Sequence, residues 1–298
     1  MKISIILPYK ENFSSQYAGA VSLFLKDTIK LSKYRNFIKV FGSTNYKKDI
    51  LKYNYINLNI NKTFFKSKSK EYIKNFINYE NKSKSKIIEI HNRPNYIDQI
   101  FKINKNIVLH FHNDPLKIKG SKSIKDRNNI IQKTKKIIFL SKWVKKRFLI
   151  GINKKDLSNN HFEIVEHSTN KKKINFANKK KLIIFVGRLN ESKGYDIFGE
   201  AVINVLNKYP KWKSIVIGDE PREKIFFKHK NLKVLGFQKY NVVSKWFRKA
   251  DISVVCSRWD EPFGRTALEA SSAGCAVIIT NRGGLIEASP KAIKIKNL

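Results

Sequence analysis

The sequence predicts an α/β protein of two domains, each a doubly wound parallel sheet with helices on both faces. Three observations carry this. Short apolar runs alternate with helix-period stretches along the chain, which is how parallel strands and their crossover helices read. The alternation breaks once, over the polar and charged residues 166–181, and a second series starts at Leu182. At 298 residues the chain is long enough for two cores of ordinary size. The expected boundaries are a first domain over 1–165, a linker over 166–181 and a second domain over 182–298.

Residues 3–7 (I-S-I-I-L) are a buried-strand run, followed by the loop P-Y-K-E-N-F-S-S-Q-Y and a helix pattern opening at Gly19. This is the form of the first βα unit of a doubly wound sheet, without the GxGxxG dinucleotide fingerprint. Further strands are expected at 36–41, 53–58, 86–90, 106–109, 136–140 and 161–165. One helix covers 67–80, with Lys/Ser flanks that read as solvated and mobile, and another starts at Ser141, a good N-cap type. In the second half, strands at 182–186, 214–217, 232–235, 251–256 and 276–280 alternate with helices at 195–209, 241–250 and 266–273.

Composition narrows the class. The apolar share of 42% is that of a globular protein, and no apolar run approaches the ~18–20 residues of a membrane-spanning helix. The two cysteines, Cys256 and Cys275, lie in apolar strand-like contexts and read as buried thiols of a reducing cytoplasm. Lys and Arg number 61 against 23 Asp and Glu, a net charge of +38. Lysine is scattered, and it rides with Asn and Ile as in an A/T-rich genome, so compositional drift is the first reading. Attraction to an anionic membrane surface is the second, and nucleic acid is a distant third.

Three stretches hold candidate chemistry. In R-W-D-E-P-F-G-R-T-A-L-E (258–269), Glu261 falls in a turn and Glu269 in the helix beyond it. Gly264 permits close backbone approach, and the N–H groups of Phe263, Gly264, Arg265 and Thr266 open a helix N-terminus suited to an anion. In G-R-L-N-E-S-K-G (187–194), Arg188 and Lys193 bracket a strand-to-helix turn flanked by Gly187 and Gly194. A planar fork and a point charge there suit a diphosphate. The third stretch is the pair of strand ends carrying His91, His110 and His112, with His110 and His112 on one face. Their spacing alone supplies no further ligand set for a metal, and no metal is expected.

G-R-L-x-x-x-K-G at 187–194, I-V-I-G-D at 215–219, E-P-F-G-R-T-A-L-E at 261–269 and G-G-L-I-E at 283–287 occur in that order. Together they resemble the donor-binding half of a family 4 retaining glycosyltransferase, over residues 182–287. The resemblance implies a GT-B fold, two Rossmann-like domains facing a cleft, and a nucleotide-diphosphate sugar as donor. It implies that Arg188 and Lys193 hold the diphosphate, with no metal cofactor. Glu261 would bind hydroxyls of the transferred sugar, backbone amides at 263–266 would touch sugar and phosphate, and Glu269 would grip the ribose. Gly19 would let the first loop approach the diphosphate. Of His110 and His112, His112 is favoured as the histidine beside the reacting sugar. The implied acceptor is a glycan or lipid-linked sugar in cell-envelope polysaccharide synthesis, with the protein cytoplasmic or peripheral on the inner membrane face.

Two departures stand out. E-H-S-T-N (166–170) replaces the family's Asn-Gly-Val-Asp-type turn, and the sequence stops at Leu298, soon after G-G-L-I-E. A truncated second domain with an exposed apolar face beside its last strands is therefore expected. Two other functions compete: a sugar-nucleotide epimerase of similar fold, and a non-catalytic basic protein binding nucleic acid or membrane. E-P-F-G-R-T-A-L-E disfavours the first, and the lack of aromatic–basic recognition motifs disfavours the second.

Overall fold

A computed structural model describes residues 1–14, 18–44, 54–60, 67–153, 161–169 and 173–295. The chain divides into two compact units, Met1–Glu166 and His167–Leu298.

In the first unit, β1 (Ile3–Ile6) leads to α1 (Ala20–Leu31), β2 (Ile38–Gly42), β3 (Tyr55–Asn57), α2 (Lys68–Ser83) and β4 (Ile87–His91). There follow α3 (Ile97–Ile100), β5 (Ile107–Phe111), α4 (Ile124–Lys133), β6 (Lys136–Phe139), α5 (Lys142–Leu149) and β7 (Phe162–Ile164). The strands make one parallel sheet in the order β3-β2-β1-β4-β5-β6-β7. The continuous apolar run of β1 follows from burial on both faces. Ile5 and Leu7 pack with Val21, Phe24, Leu25 and Ile29 of α1, while Ile6 joins Phe41, Ile88 and Ile90 in the opposite cluster.

Local chemistry explains where the elements start and stop. Ser141 accepts a hydrogen bond from Val144 N at 3.1 Å and caps α5, as its sequence position predicts. The strand expected from residue 36 begins at Ile38, because Arg35–Phe37 forms a 3₁₀ turn first. The Lys/Ser flanks expected to be solvated lie partly inside α2, which buries Tyr72, Ile73 and Phe76 and leaves its lysines outside. Tyr53, at the expected start of the third strand, lies outside the described residues. Neither α3 nor α4 was expected from periodicity. Helix α4 is polar, yet a capping box starts it, with Asp126 N to Ser123 Oγ at 3.0 Å and Ser123 N to Asp126 Oδ2 at 3.2 Å.

The second unit runs β8 (Lys180–Val186), α6 (Tyr195–Lys208), β9 (Lys213–Ile217), β10 (Leu232–Val234), α7 (Tyr240–Lys249) and β11 (Ala250–Val255). Then come α8 (Arg265–Ser272), β12 (Ala276–Thr280), α9 (Leu285–Ala288) and β13 (Ile293–Ile295). Its parallel sheet has the order β10-β9-β8-β11-β12-β13. Ile293 on the edge strand is exposed. The stretch read as a linker is partly built into this unit: His167 is buried, and Lys179 Nζ donates to Phe247 O at 3.0 Å and Ala250 O at 2.6 Å. An ammonium there satisfies carbonyls left open at the carboxyl end of α7.

Both sheets reverse their winding direction beside their first strand, between β1 and β4 and between β8 and β11. Ligands of doubly wound sheets bind outside the carboxyl ends of the strands at such a point. Among the described residues no helix is long and apolar enough to cross a membrane.

Candidate active site

Strands β8 and β11 are hydrogen-bonded neighbours, with Phe185 opposite Val254. Their carboxyl ends therefore adjoin, although about 70 residues separate them. Gly187 and Arg188 leave β8, and Arg188 is mostly exposed, with Nη1 3.9 Å from Glu220 Oε2. Lys193 ends a 3₁₀ turn whose N-cap, Asn190, accepts from Lys193 N at 3.1 Å. From there its ammonium reaches across to Glu261, beyond the end of β11, and the two form a half-buried ion pair. Ser257 Oγ lies 2.9 Å from the same Glu261 oxygen and 3.1 Å from Ser192 O. Ser192 O also accepts from Arg258 N and Trp259 N, both at 3.1 Å, which ties the two loops together.

The 261–269 stretch is held from below. Gly264 has φ 108°, and a Cβ there would run into Leu285, so glycine alone fits. Helix α8 starts at Arg265, and its first turn, including Thr266, directs N–H groups away from the helix. Phe263 is buried and packs on the His167 ring at a centroid distance of 5.8 Å. Arg265 Nε donates to Glu269 Oε1 at 2.6 Å, one helical turn on. Gly284 N donates to Glu261 O at 2.6 Å, and the glycines at 283–284 let the two backbone segments approach closely.

In the first unit, Gly19 is the N-cap of α1, but the Glu11 carboxylate covers it. Glu11 Oε1 accepts from Ser22 N at 3.1 Å and Ser22 Oγ at 3.0 Å, so an anion already sits on that helix start. His91 and His110 are opposite one another in β4 and β5, and His112 follows β5 directly. All three rings are buried and nearly parallel. His91 Nδ1 is 2.8 Å from His112 Nε2, and His91 Nε2 is 2.7 Å from Glu89 Oε1. Burial opposes charge on Glu89, but His110 and the His91 hydrogen bond hold its carboxyl below the ordinary range; burial also keeps His110 below its own. The loop after β5 is braced by Asn92, whose Oδ1 accepts from His112 N at 2.7 Å, and by Asp114, paired with Arg147 at 3.0 Å.

Lys193 and Glu261 thus meet within the second unit, with Phe263, Gly264, Arg265, Thr266 and Glu269 on the adjoining loop and helix, while Arg188, on the same turn as Lys193, faces Glu220. Five residues were missed in the sequence: Glu11, Glu89, Glu220, Ser257 and His167. Period-two placement of Glu89 before His91 was a usable signal. Nothing local marked Ser257 or His167, whose partners are distant in sequence.

The seven-strand and six-strand parallel sheets with this winding define a fold of the GT-B glycosyltransferase type. It is shared with HepE from Anabaena, crystallised with UDP and glucose, at a TM-score of 0.68 and 17% identity over 96% of this chain and 82% of that one. Residues 166–290 match the family described as glycosyl transferases group 1. Spore coat protein SA of Bacillus subtilis is 31% identical over 120 residues, 35% of this chain and 31% of the relative. The lipopolysaccharide core biosynthesis mannosyltransferase LpsB of Rhizobium meliloti is 30% identical over 127 residues, 39% of this chain and 36% of the relative. The matched stretch spans about a third of the length of these curated relatives.

Proposed function

We propose that the chain is a retaining glycosyltransferase of family 4 type, moving a hexosyl group from a nucleotide-diphosphate sugar to a glycan or lipid-linked acceptor of the cell envelope. The observation that carries this is the ion pair of Lys193 with Glu261 beyond the paired ends of β8 and β11, with Arg188 on the same turn as Lys193, inside the stretch that matches the group 1 family. As the sugar–phosphate bond opens, negative charge grows on the departing diphosphate. Arg188 and Lys193 hold that diphosphate and neutralise the charge electrostatically, a task needing no metal. Gly187 and Gly264 let the backbone come close, and amides of Phe263, Gly264, Arg265 and Thr266 touch phosphate and sugar. Glu261, oriented by Ser257, takes hydroxyls of the transferred sugar, and Glu269 takes the ribose. Lys193 rests on Glu261 until the donor arrives, so binding exchanges an ion pair for a phosphate contact. In the first unit, Gly19 serves the diphosphate once Glu11 has moved off the start of α1, and His112 serves the reacting sugar. HepE, crystallised with UDP and glucose, supports this donor class.

The test is thermal stabilisation by a panel of nucleotide sugars, followed by product analysis with and without acceptor. Stabilisation by one nucleotide class and acceptor-dependent release of the nucleoside diphosphate are expected. A rearranged sugar formed without acceptor would mean an epimerase, and no response to any nucleotide would sink the reading. The proposal includes a cytoplasmic site at an anionic membrane face. It is supported by the +38 charge and by an open groove lined by Lys173, Lys179, Lys180, Lys245, Arg248 and Lys249. Co-sedimentation with anionic vesicles should then fall steeply from low to physiological salt.

A further inference from the structure

We infer that Glu89 and His91 are positioning residues for His112, joined to it in a carboxylate–imidazole–imidazole triad that fixes its ring and leaves its proton on Nε2. The inference rests on the transferase reading for what His112 does to the sugar, but the triad itself lies wholly within the first unit. Two hydrogen bonds link it. His91 Nε2 is 2.7 Å from Glu89 Oε1, and His91 Nδ1 is 2.8 Å from His112 Nε2.

The sheet builds the triad outward. Glu89 and His91 are two residues apart on β4 and share a face, as His110 and His112 do at the end of β5. His91 is the register partner of His110, so His112 lies just past the end of β4. Glu89 is the inner end, and His112 is the outer end at the carboxyl edge of the sheet, where ligands of doubly wound folds bind. Two bonds lock the loops that follow: Asn92 N donates to His110 O at 2.9 Å, and His112 N donates to Asn92 Oδ1 at 2.7 Å. Phe24 of α1 packs on His112 with ring centroids 5.1 Å apart.

The rings are set for linear bonding. The His91 and His112 planes are 20° apart, with centroids at 5.0 Å. Each nitrogen lies little more than a bond length from its own centroid, so nitrogens 2.8 Å apart at that spacing point almost straight at each other. That is the direction in which an imidazole N–H and lone pair lie, and the alignment a hydrogen bond prefers. His110 stacks on His91 at 4.5 Å and stands outside the triad, its Nε2 3.2 Å from Glu89 Oε1 without the alignment of a hydrogen bond.

The proton positions follow in order. Burial opposes charge on Glu89, but the neighbouring imidazoles outweigh it and hold the carboxyl at about 2. An ionised carboxylate only accepts, so the first shared proton is on His91 Nε2. A neutral His91 then offers a lone pair at Nδ1, and the second proton belongs to His112 Nε2. His112 is left with a lone pair on Nδ1, so towards a sugar its ring accepts a hydrogen bond from a hydroxyl. Packing alone needs no carboxylate here: taking one largely out of water is costly unless it holds hydrogen bonds, and this one is directed at imidazoles.

The test uses the whole chain with the ring nitrogens of its six histidines isotope-labelled. Long-range proton–nitrogen NMR spectra of the ligand-free protein show which nitrogen of each ring is protonated, and His91→Gln and His112→Gln assign the signals. Neutral His91 and His112, each protonated on Nε2, are expected. In Glu89→Gln the His112 pattern should change to a mixture of tautomers, whereas His229→Gln, in the second unit, should leave it unchanged. Glu89→Gln should also lower turnover by roughly 10–100-fold while nucleoside-diphosphate affinity stays within about twofold, a split that lost packing alone does not produce. His112 protonated on Nδ1, as a cationic His91 requires, overturns the inference, and so does Glu89→Gln with wild-type tautomers or wild-type turnover. If circular dichroism shows that Glu89→Gln does not fold, the wild-type spectrum decides alone. A protein that transfers no sugar sinks the transferase reading, and the tautomers still judge the triad.

Discussion

The Lys193 ammonium and the Glu261 carboxylate are ion-paired across 68 residues of sequence, and Ser257 braces the carboxylate at 2.9 Å. A cation proposed for the diphosphate and an acid proposed for the sugar therefore share one contact in the ligand-free protein. Their substitutions are predicted to separate what the pair combines. Lys193→Ala should weaken nucleoside-diphosphate binding by about 1–3 kcal/mol, the scale of a charged hydrogen bond. Glu261→Ala should mainly lower turnover and leave nucleotide binding in place. Titration calorimetry with the nucleoside diphosphate checks both. Equal affinity in wild type and an Arg188→Ala, Lys193→Ala double variant would refute the assignment.

Ser257 is fully buried, and its hydroxyl meets Glu261 and Ser192 O. Ser257→Ala should destabilise the chain by about 1 kcal/mol. Turnover should fall while nucleoside-diphosphate affinity stays within twofold, because the hydroxyl orients Glu261 and does not touch phosphate. Steady-state kinetics beside calorimetry tests this; a loss of nucleotide affinity as large as the loss of turnover would argue against an orienting role.

Gly264 combines a left-handed backbone with Leu285 packed where a side chain would begin. Gly264→Ala is predicted to destabilise by about 1–3 kcal/mol through backbone strain, with the collision adding to it. The melting temperature should drop by several degrees. An unchanged melting temperature would mean that the turn adapts freely.

Burial, and then the nearby Arg265 charge, hold His167 down at about 3 from its ordinary 6.5. The unfolded chain accordingly takes up this proton first on acidification. The group's contribution is whole above pH 6.5 and is lost progressively as pH falls from 6.5 towards 3. Within that window its share of the slope is at most about 1.4 kcal/mol per pH unit. Urea unfolding of wild type and His167→Gln at several pH values measures it: the variant should show the shallower decline. Parallel curves would show that His167 does not titrate with unfolding.

Alternating apolar runs and helix-period stretches were enough to identify two doubly wound α/β domains, because strands buried on both faces must be apolar throughout. The loops holding Arg188, Lys193, Glu261 and Glu269 were also legible, since glycine and proline punctuate strand-to-helix turns in recognisable ways. Helix α4 escaped because its surface is polar, although S-x-x-D at 123–126 spelled out its cap. Tertiary structure alone decided the pairing of Lys193 with Glu261, the seating of His167 on Phe263 and the stacking of His91 on His110. Those contacts depend on which strands lie side by side and in what register. In a parallel sheet, neighbours such as β8 and β11 are separated by whole crossover units, and local periodicity holds no record of that choice.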